Sequence, residues 1–257
     1  LVGSEMCIRD RGVNTPSLVG IIHGNNFFVF AGHKTILWND FLSQGEFDVF
    51  VKDSNGECGE GIFALQRRKG VLYVNKKETT IEEINSRINP CLSFIVQERI
   101  SQHPALNKIY DKSINTIRLE TVINPKTKEI EILPPLLRVG TSGHNVDNWA
   151  MGGLAIGIDE KGCLKKYGFY KPSFGTKTTQ HPDTEVVFEN YSIPFFAEAV
   201  DMARRFHSEL HEIHSIGWDI AITDAGPCFI EGNDNWEISL VQICSKGLQR
   251  EFEELFF

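Results

Sequence analysis

The six cysteines, at positions 7, 58, 91, 163, 228 and 244, include no CxxC pair. They also lack the density of a secreted disulfide scaffold, so a reducing cytoplasm is the simpler inference. The chain also lacks any apolar run near the roughly 18 residues of a membrane span, and its start has no signal-peptide core. Basic side chains are the minority, 26 against 34 acidic, for a net charge of −8. A general nucleic-acid binder is disfavoured, while a local basic pocket for phosphates is not. No GxxxxGK[ST] sequence occurs, so a P-loop is disfavoured too. Internal repeats and low-complexity tracts are also missing.

With 257 residues the chain can bury a large core, as one large domain or two small lobes. Residues 1–11 begin without Met and read as a non-native leader, the alternative being a frayed native terminus, and either reading points to a missing upstream part.

What is present is mostly strand-like. Leu18 to Ile22 and Phe27 to Phe30 flank a His23-Gly24-Asn25-Asn26 turn signal, and Phe47 to Lys52 alternates into a glycine-rich loop before Ile62 to Leu65. Further strands are expected over Phe94 to Gln97, Thr116 to Asn124 and Leu136 to Val139. Ile81, Ile84 and Ile88 behind threonine caps predict a short helix over Thr79 to Asn89. Phe196, Ala199, Ala203, Phe206, Leu210 and Ile213 recur at steps of three and four, which predicts one buried helix face between Ile193 and Ile216. His207, His211 and His214 are then expected on that helix's surface.

The most informative segment runs from Gly217 to Trp236. A three-residue loop Asp224-Ala225-Gly226 would set Thr223 opposite Pro227 and therefore Asp219 opposite Glu231, with Asn233 on the same face. Two carboxylates and an amide oxygen suit Mg2+ rather than zinc, and Mg2+ commonly works with substrate phosphates. The alternative is an ordinary amphipathic hairpin whose polar face meets water.

Other residues carry weaker signals. Lys52 ends a strand beside the glycine loop, where it could reach phosphates or simply be solvated. Arg118 and Arg138 lie in apolar strands and need carboxylate or phosphate partners. The stretch Gly140 to Gly153 holds His144, Asn145, Asn148 and four glycines, and is either a polar substrate loop or a surface turn.

Taken in order, these segments resemble the ATP-grasp superfamily, closest to its sugar-transfer-associated branch. The carrying motifs are Phe50-Val-Lys52 with Gly56, Gly59 and Gly61, then Ile95-Val-Gln-Glu-Arg-Ile100 and Asn115-Thr-Ile-Arg118. Asn148 with Gly152-Gly153, and Asp219 with Glu231-Gly-Asn233, complete the series. The resemblance implies an α+β chain in the ATP-grasp fold, two lobes with largely antiparallel sheets gripping a nucleotide between them. Residues 12–97 would be the small lobe with its glycine-rich lid, and 98–257 the large lobe with the metal and substrate site.

Lys52, Gly56, Gly59, Gly61, Gln97, Glu98, Ile100 and Ile230 would contact ATP. Asp219, Glu231 and Asn233 would hold Mg2+, Arg118 or Arg138 would act catalytically, and Asn145, Asn148 and Gly153 would line the acceptor side. The implied activity is an ATP- and Mg2+-dependent carboxylate–amine ligase working through an acyl phosphate. Its partners would be small-molecule carboxylates and amines, its setting bacterial and cytoplasmic, and its role associated with polysaccharide or cell-surface precursors. Two alternatives stand beside it: an ATP-grasp kinase acting on a hydroxyl, and an inactive nucleotide-binding module. The family's usual upstream lobe and its further ATP-contacting lysine are missing from the sequence.

Overall fold

Short β-branched and aromatic runs broken by Gly and Asn turns fold as antiparallel strands, because neighbours close in sequence can pair without a crossover. The computed structural model describes residues 14–54, 61–143, 146–173, 175–210, 212–250 and 253. They form two compact units, one over Pro16–Ile100 and the other from Ser101 onward, to which Asn14 and Thr15 also belong. Two antiparallel sheets with few helices give the α+β class expected.

In the first unit the strands are β1 (Leu18–His23), β2 (Asn26–Val29), β3 (Lys34–Leu37), β4 (Phe47–Asp53), β5 (Phe63–Arg68), β6 (Val71–Val74), β7 (Lys77–Thr79) and β8 (Ser93–Glu98). Their order is β3-β2-β1-β8-β4-β5-β6-β7. Alternation decides the buried face: Val49 and Val51 of β4 point into the core with Phe63, Leu65, Phe94 and Val96. Helices α1 (Trp38–Ser43) and α2 (Ile81–Asn85) add Trp38, Leu42 and Ile84 to it. Helix α2 is shorter than the Thr79 to Asn89 span expected. Thr80 caps it by a reciprocal box with Glu83, Thr79 belongs to β7, and Ile88 reaches the core from the turn that follows.

The second unit contains β9 (Thr116–Ile123), β10 (Ile130–Ile132), β11 (Leu136–Val139), β12 (Leu154–Ile158), β13 (Leu164–Tyr170), β14 (Lys177–Thr178), β15 (Ser215–Thr223) and β16 (Gly226–Asn233). The order is β14-β13-β12-β11-β9-β15-β16, with β10 also on β9. Helix α3 (Pro104–Ile109) carries Leu106 and Ile109 into the core.

Period-2 alternation gives this sheet two different faces. Ile117 and Leu119 of β9 and Trp218, Ile220 and Ile222 of β15 pack under α4 (Phe196–His207) through Ala199, Met202, Ala203 and Phe206. Each large apolar side chain removed from water there contributes about 1.5–3 kcal/mol. The opposite face presents Thr116, Arg118 and Glu120 of β9 and Asp219 of β15. Helix α5 (Ile238–Cys244) closes the apolar margin of that face, Val241 packing with Val122, and Leu240 and Cys244 with Leu136 and Ala155.

Helix α4 stops at His207, short of the periodic span expected. The chain continues in tight turns, Leu210 bonding back to His207 and Ile213 to Leu210, and these three-residue steps preserve the spacing without the helix. The expected surface histidines are corrected as well. His207 is fully buried, its Nδ1 2.7 Å from Thr121 Oγ1 and its Nε2 2.8 Å from the Ile213 carbonyl, and burial holds its pKa below the usual value. His214 lies beyond the helix, and His211 is outside the described residues.

Candidate active site

The hairpin β15–β16 places Asp219 opposite Glu231 and Gly217 opposite Asn233. The expected route to that register was wrong, although its end was not. Thr223 faces Gly226 across a two-residue turn, Asp224-Ala225, and Gly226 takes φ +108. Such a loop alone would send Asp219 to the other face. A β-bulge restores the register: Ile220 pairs with Phe229, Asp219 with Glu231, and Ile230 is the extra residue between them.

Asp219 is 1% exposed and is held by both candidate arginines. Arg118 Nη1 donates to its Oδ1 at 2.7 Å, and Arg138 Nη2 lies 3.2 Å from its Oδ2. The chain of charges extends both ways. Arg118 Nε is 3.2 Å from Glu120, and Arg138 Nη2 is 3.4 Å from Asp147, which accepts from the Thr116 amide at 3.0 Å and hydroxyl at 2.5 Å. Glu120, Arg118, Asp219, Arg138 and Asp147 therefore alternate in sign across one sheet face. Burial alone would raise Asp219, but Arg138 and Arg118 outweigh it and hold its carboxyl below the usual range.

Glu231 and Asn233 complete the expected triad, with Asn233 Nδ2 3.3 Å from Glu231 Oε1. The Glu231 side chain still reaches solvent, yet desolvation on its sheet side and the Asp219 carboxylate across the pair keep its pKa above the ordinary value. A divalent cation relieves this kind of crowding.

The donor chemistry fits Mg2+, which accepts one or two carboxylates and completes its shell with water and phosphate oxygens. Asp219 Oδ2 is buried without an aligned hydrogen bond, so it retains acceptor capacity. One rearrangement is required, since Arg138 now occupies the approach to that oxygen. Among the described residues, no group of three or more His, Cys, Asp or Glu side chains is arranged to hold a metal. The triad contributes two carboxylates and an amide.

Glu120 is fully buried, neither oxygen makes an aligned hydrogen bond, and desolvation pushes its carboxyl up to about 7 against the stabilising Arg118 charge. An acid whose folded pKa lies above its unfolded value holds its proton more tightly when folded. Its contribution to stability is therefore lost as pH rises from about 4.5 through about 7. We expect up to about 3 kcal/mol of stability to disappear between pH 5 and pH 8, seen as a falling urea midpoint, and Glu120→Gln to flatten that slope. An undiminished slope in the variant would locate the titration elsewhere.

Lys52 lies near the end of β4 opposite Ile95, with a half-buried side chain. Gln97 is 2% exposed on β8, Glu98 is exposed with its amide bonded to the Ser17 carbonyl, and Ile100 ends the first unit. Gly61 adopts φ +72. Gly56, Gly59 and Asn145 lie outside the described residues. Asn148 accepts from the Ala150 amide at 2.9 Å and caps the short turn Trp149–Met151.

Gly153 has a packing reason for being glycine, because a Cβ there would sit 2.8 Å from the Asp147 carbonyl and 3.0 Å from those of Asn148 and Val139. Gly153→Ala is expected to cost about 1–3 kcal/mol, read by urea unfolding followed through the second unit's tryptophans. No loss would mean that the loop yields freely.

Glu120 and Asp147 escaped the sequence reading. Thr116, Arg118 and Glu120 form a polar period-2 series alternating with Ile117 and Leu119, which was the available signal for Glu120. Asp147 gave none, because its partner Thr116 is 31 residues away.

A family model described as sugar-transfer associated ATP-grasp matches residues 2–255. The chain belongs to that family. Solved structures with a similar outline include a D-alanine–D-alanine ligase from Bacillus anthracis, 13% identical with a TM-score of 0.45, the match covering 90% of this chain and 54% of that one. Another is N5-carboxyaminoimidazole ribonucleotide synthetase in complex with ADP, at 11%, 0.49, 92% and 44% respectively. A third, D-alanyl-alanine synthetase A from Vibrio cholerae O1 biovar eltor, stands at 10%, 0.47, 90% and 53%. This chain spans about half the length of those structures. No curated protein matches it. Among the described residues, no helix is long and apolar enough to cross a membrane.

Proposed function

We propose that this chain is the ATP- and Mg2+-using part of a carboxylate–amine ligase. The observation that carries the reading is the convergence of Asp219, Glu231 and Asn233 with buried Arg118 and half-buried Arg138 on one sheet face, in a chain of the ATP-grasp family. In such a reaction a substrate carboxylate oxygen bonds to the terminal phosphorus as the bridging bond to ADP breaks. An amine then attacks the acyl carbon, phosphate leaves, and the nitrogen loses a proton.

Bound Mg2+ would supply charge neutralisation on the phosphates. Arg138, the more exposed of the two arginines at 16% of its side chain against 7%, is the one able to turn toward a phosphoryl group. Arg118, clamped by Glu120 and Asp219, keeps the metal carboxylate in position. Assignment of Lys52, Gln97, Glu98, Ile100 and Ile230 to the nucleotide, and of Asn148 to the acceptor, rests on the order of family motifs. The family description links the substrate to sugar transfer by association.

Calorimetry of ATP binding with and without Mg2+, followed by a screen of carboxylate and amine pairs for ADP release, tests the reading. Mg2+-dependent binding with release that needs both substrates is expected. Release that needs a hydroxyl substrate and no amine would replace the ligase with a kinase, and ATP binding indifferent to Mg2+ would remove the metal site.

A further inference from the structure

Arg138 has two anionic seats and one anchor. Its Nη2 lies 3.2 Å from Asp219 Oδ2 and 3.4 Å from Asp147 Oδ1, while its Nε donates to Thr116 Oγ1 at 3.1 Å. The same Thr116 hydroxyl donates to Asp147 Oδ2, so anchor and second seat are fastened together. Arg118 has no comparable freedom, because its seats, Glu120 and Asp219 Oδ1, grip different nitrogens of a side chain 7% exposed. Asp219 Oδ2 is the oxygen without an aligned hydrogen bond and the one that Arg138 must yield to a cation.

We propose that Asp147 is a positioning residue that retains Arg138 when a divalent cation takes Asp219, so that arginine and cation occupy the site together. This rests on the metal reading above. With two carboxylates to share, Arg138 gives up Asp219 while keeping a partner at Asp147. With Asp147 neutralised, the Arg138 charge falls wholly on Asp219, and the cation must compete with a half-buried guanidinium for that carboxylate. The arrangement also ties residues 146–153, which include Asp147, to occupancy of the Asp219–Glu231 pair.

The test uses Mn2+ as the probe, its binding in the presence of β,γ-imido-ATP read by electron paramagnetic resonance, without turnover. Asp147→Asn is expected to weaken Mn2+ binding by about five- to tenfold, the scale of one charge-assisted contact. In an Arg138→Gln background the same change should alter binding by less than about twofold, because the competitor is gone. A loss that persists in that background would overturn the proposal, as would unchanged binding in Asp147→Asn alone. Glu231→Gln separates the two levels. If it weakens Mn2+ while Asp147→Asn does not, the metal reading stands and the positioning role falls; if it leaves Mn2+ binding unchanged, both fall. Should Asp147→Asn fail to fold, Thr116→Val removes the hydroxyl shared by Arg138 and Asp147. About threefold weaker Mn2+ binding is then expected, and unchanged binding refutes the role.

Discussion

Glu231→Gln is expected to lower Mg2+-dependent ADP release on the order of a hundredfold or more, by removing one of the anionic ligands proposed for the cation while keeping the side chain's shape. The fold should be little disturbed, because Glu231 reaches solvent at the end of β16 and its burden is electrostatic. Its raised pKa means that the ionised form is disfavoured beside Asp219, so the neutral amide relieves repulsion and leaves stability at pH 7 unchanged or slightly higher. Steady-state ADP release against Mg2+ concentration, with circular dichroism as the fold control, measures both effects. Wild-type turnover in this variant would take Glu231 out of the site.

The second large effect concerns stability. Arg118→Met should destabilise the second unit by about 3–5 kcal/mol near pH 8, because it strands carboxylates in a buried place. Glu120 is fully buried and Asp219 is 1% exposed, and Arg118 lies between them. Lowering the pH to 6 should recover part of the loss, since without the Arg118 charge that lowers its pKa Glu120 binds a proton more readily than in the wild type, and once protonated needs no cation. Replacing the pair together, Arg118→Met with Glu120→Leu, should also recover part of it, as an apolar pair carries no desolvation penalty. Denaturation of the three proteins at the two pH values reads this out. Equal stability of wild type and Arg118→Met at pH 8 would show that the buried charges are hydrated or paired in some other way.

Several elements were legible in the chain because the forces that make them are local. The His23-Gly24-Asn25-Asn26 signal produced the β1–β2 hairpin where expected, with His23 facing Asn26. The apolar steps of α4 marked its core-facing residues, although they overran the helix because three-residue turns mimic helical spacing. Asp219 and Glu231 were paired correctly for an incorrect reason. A loop count cannot register a bulge, and the unpaired Ile230 corrected the phase that the shorter turn had shifted. His207 was misplaced because a buried histidine looks polar until its partners, Thr121 and Ile213, are found.

By itself the chain determined its antiparallel strands, because turn signals and alternation act locally, and its ordered motifs marked the family to which it belongs; it also set Asp219 opposite Glu231 in one hairpin. Tertiary structure alone decided that Arg118 is clamped by Glu120 and Asp219 while Arg138 is shared between Asp219 and Asp147. Asp219 stands 101 residues from Arg118 and meets both arginines only when β9, β11 and β15 lie side by side. In that dry setting a charge is governed by the neighbours the sheet brings to it, and distance along the chain carries no record of them.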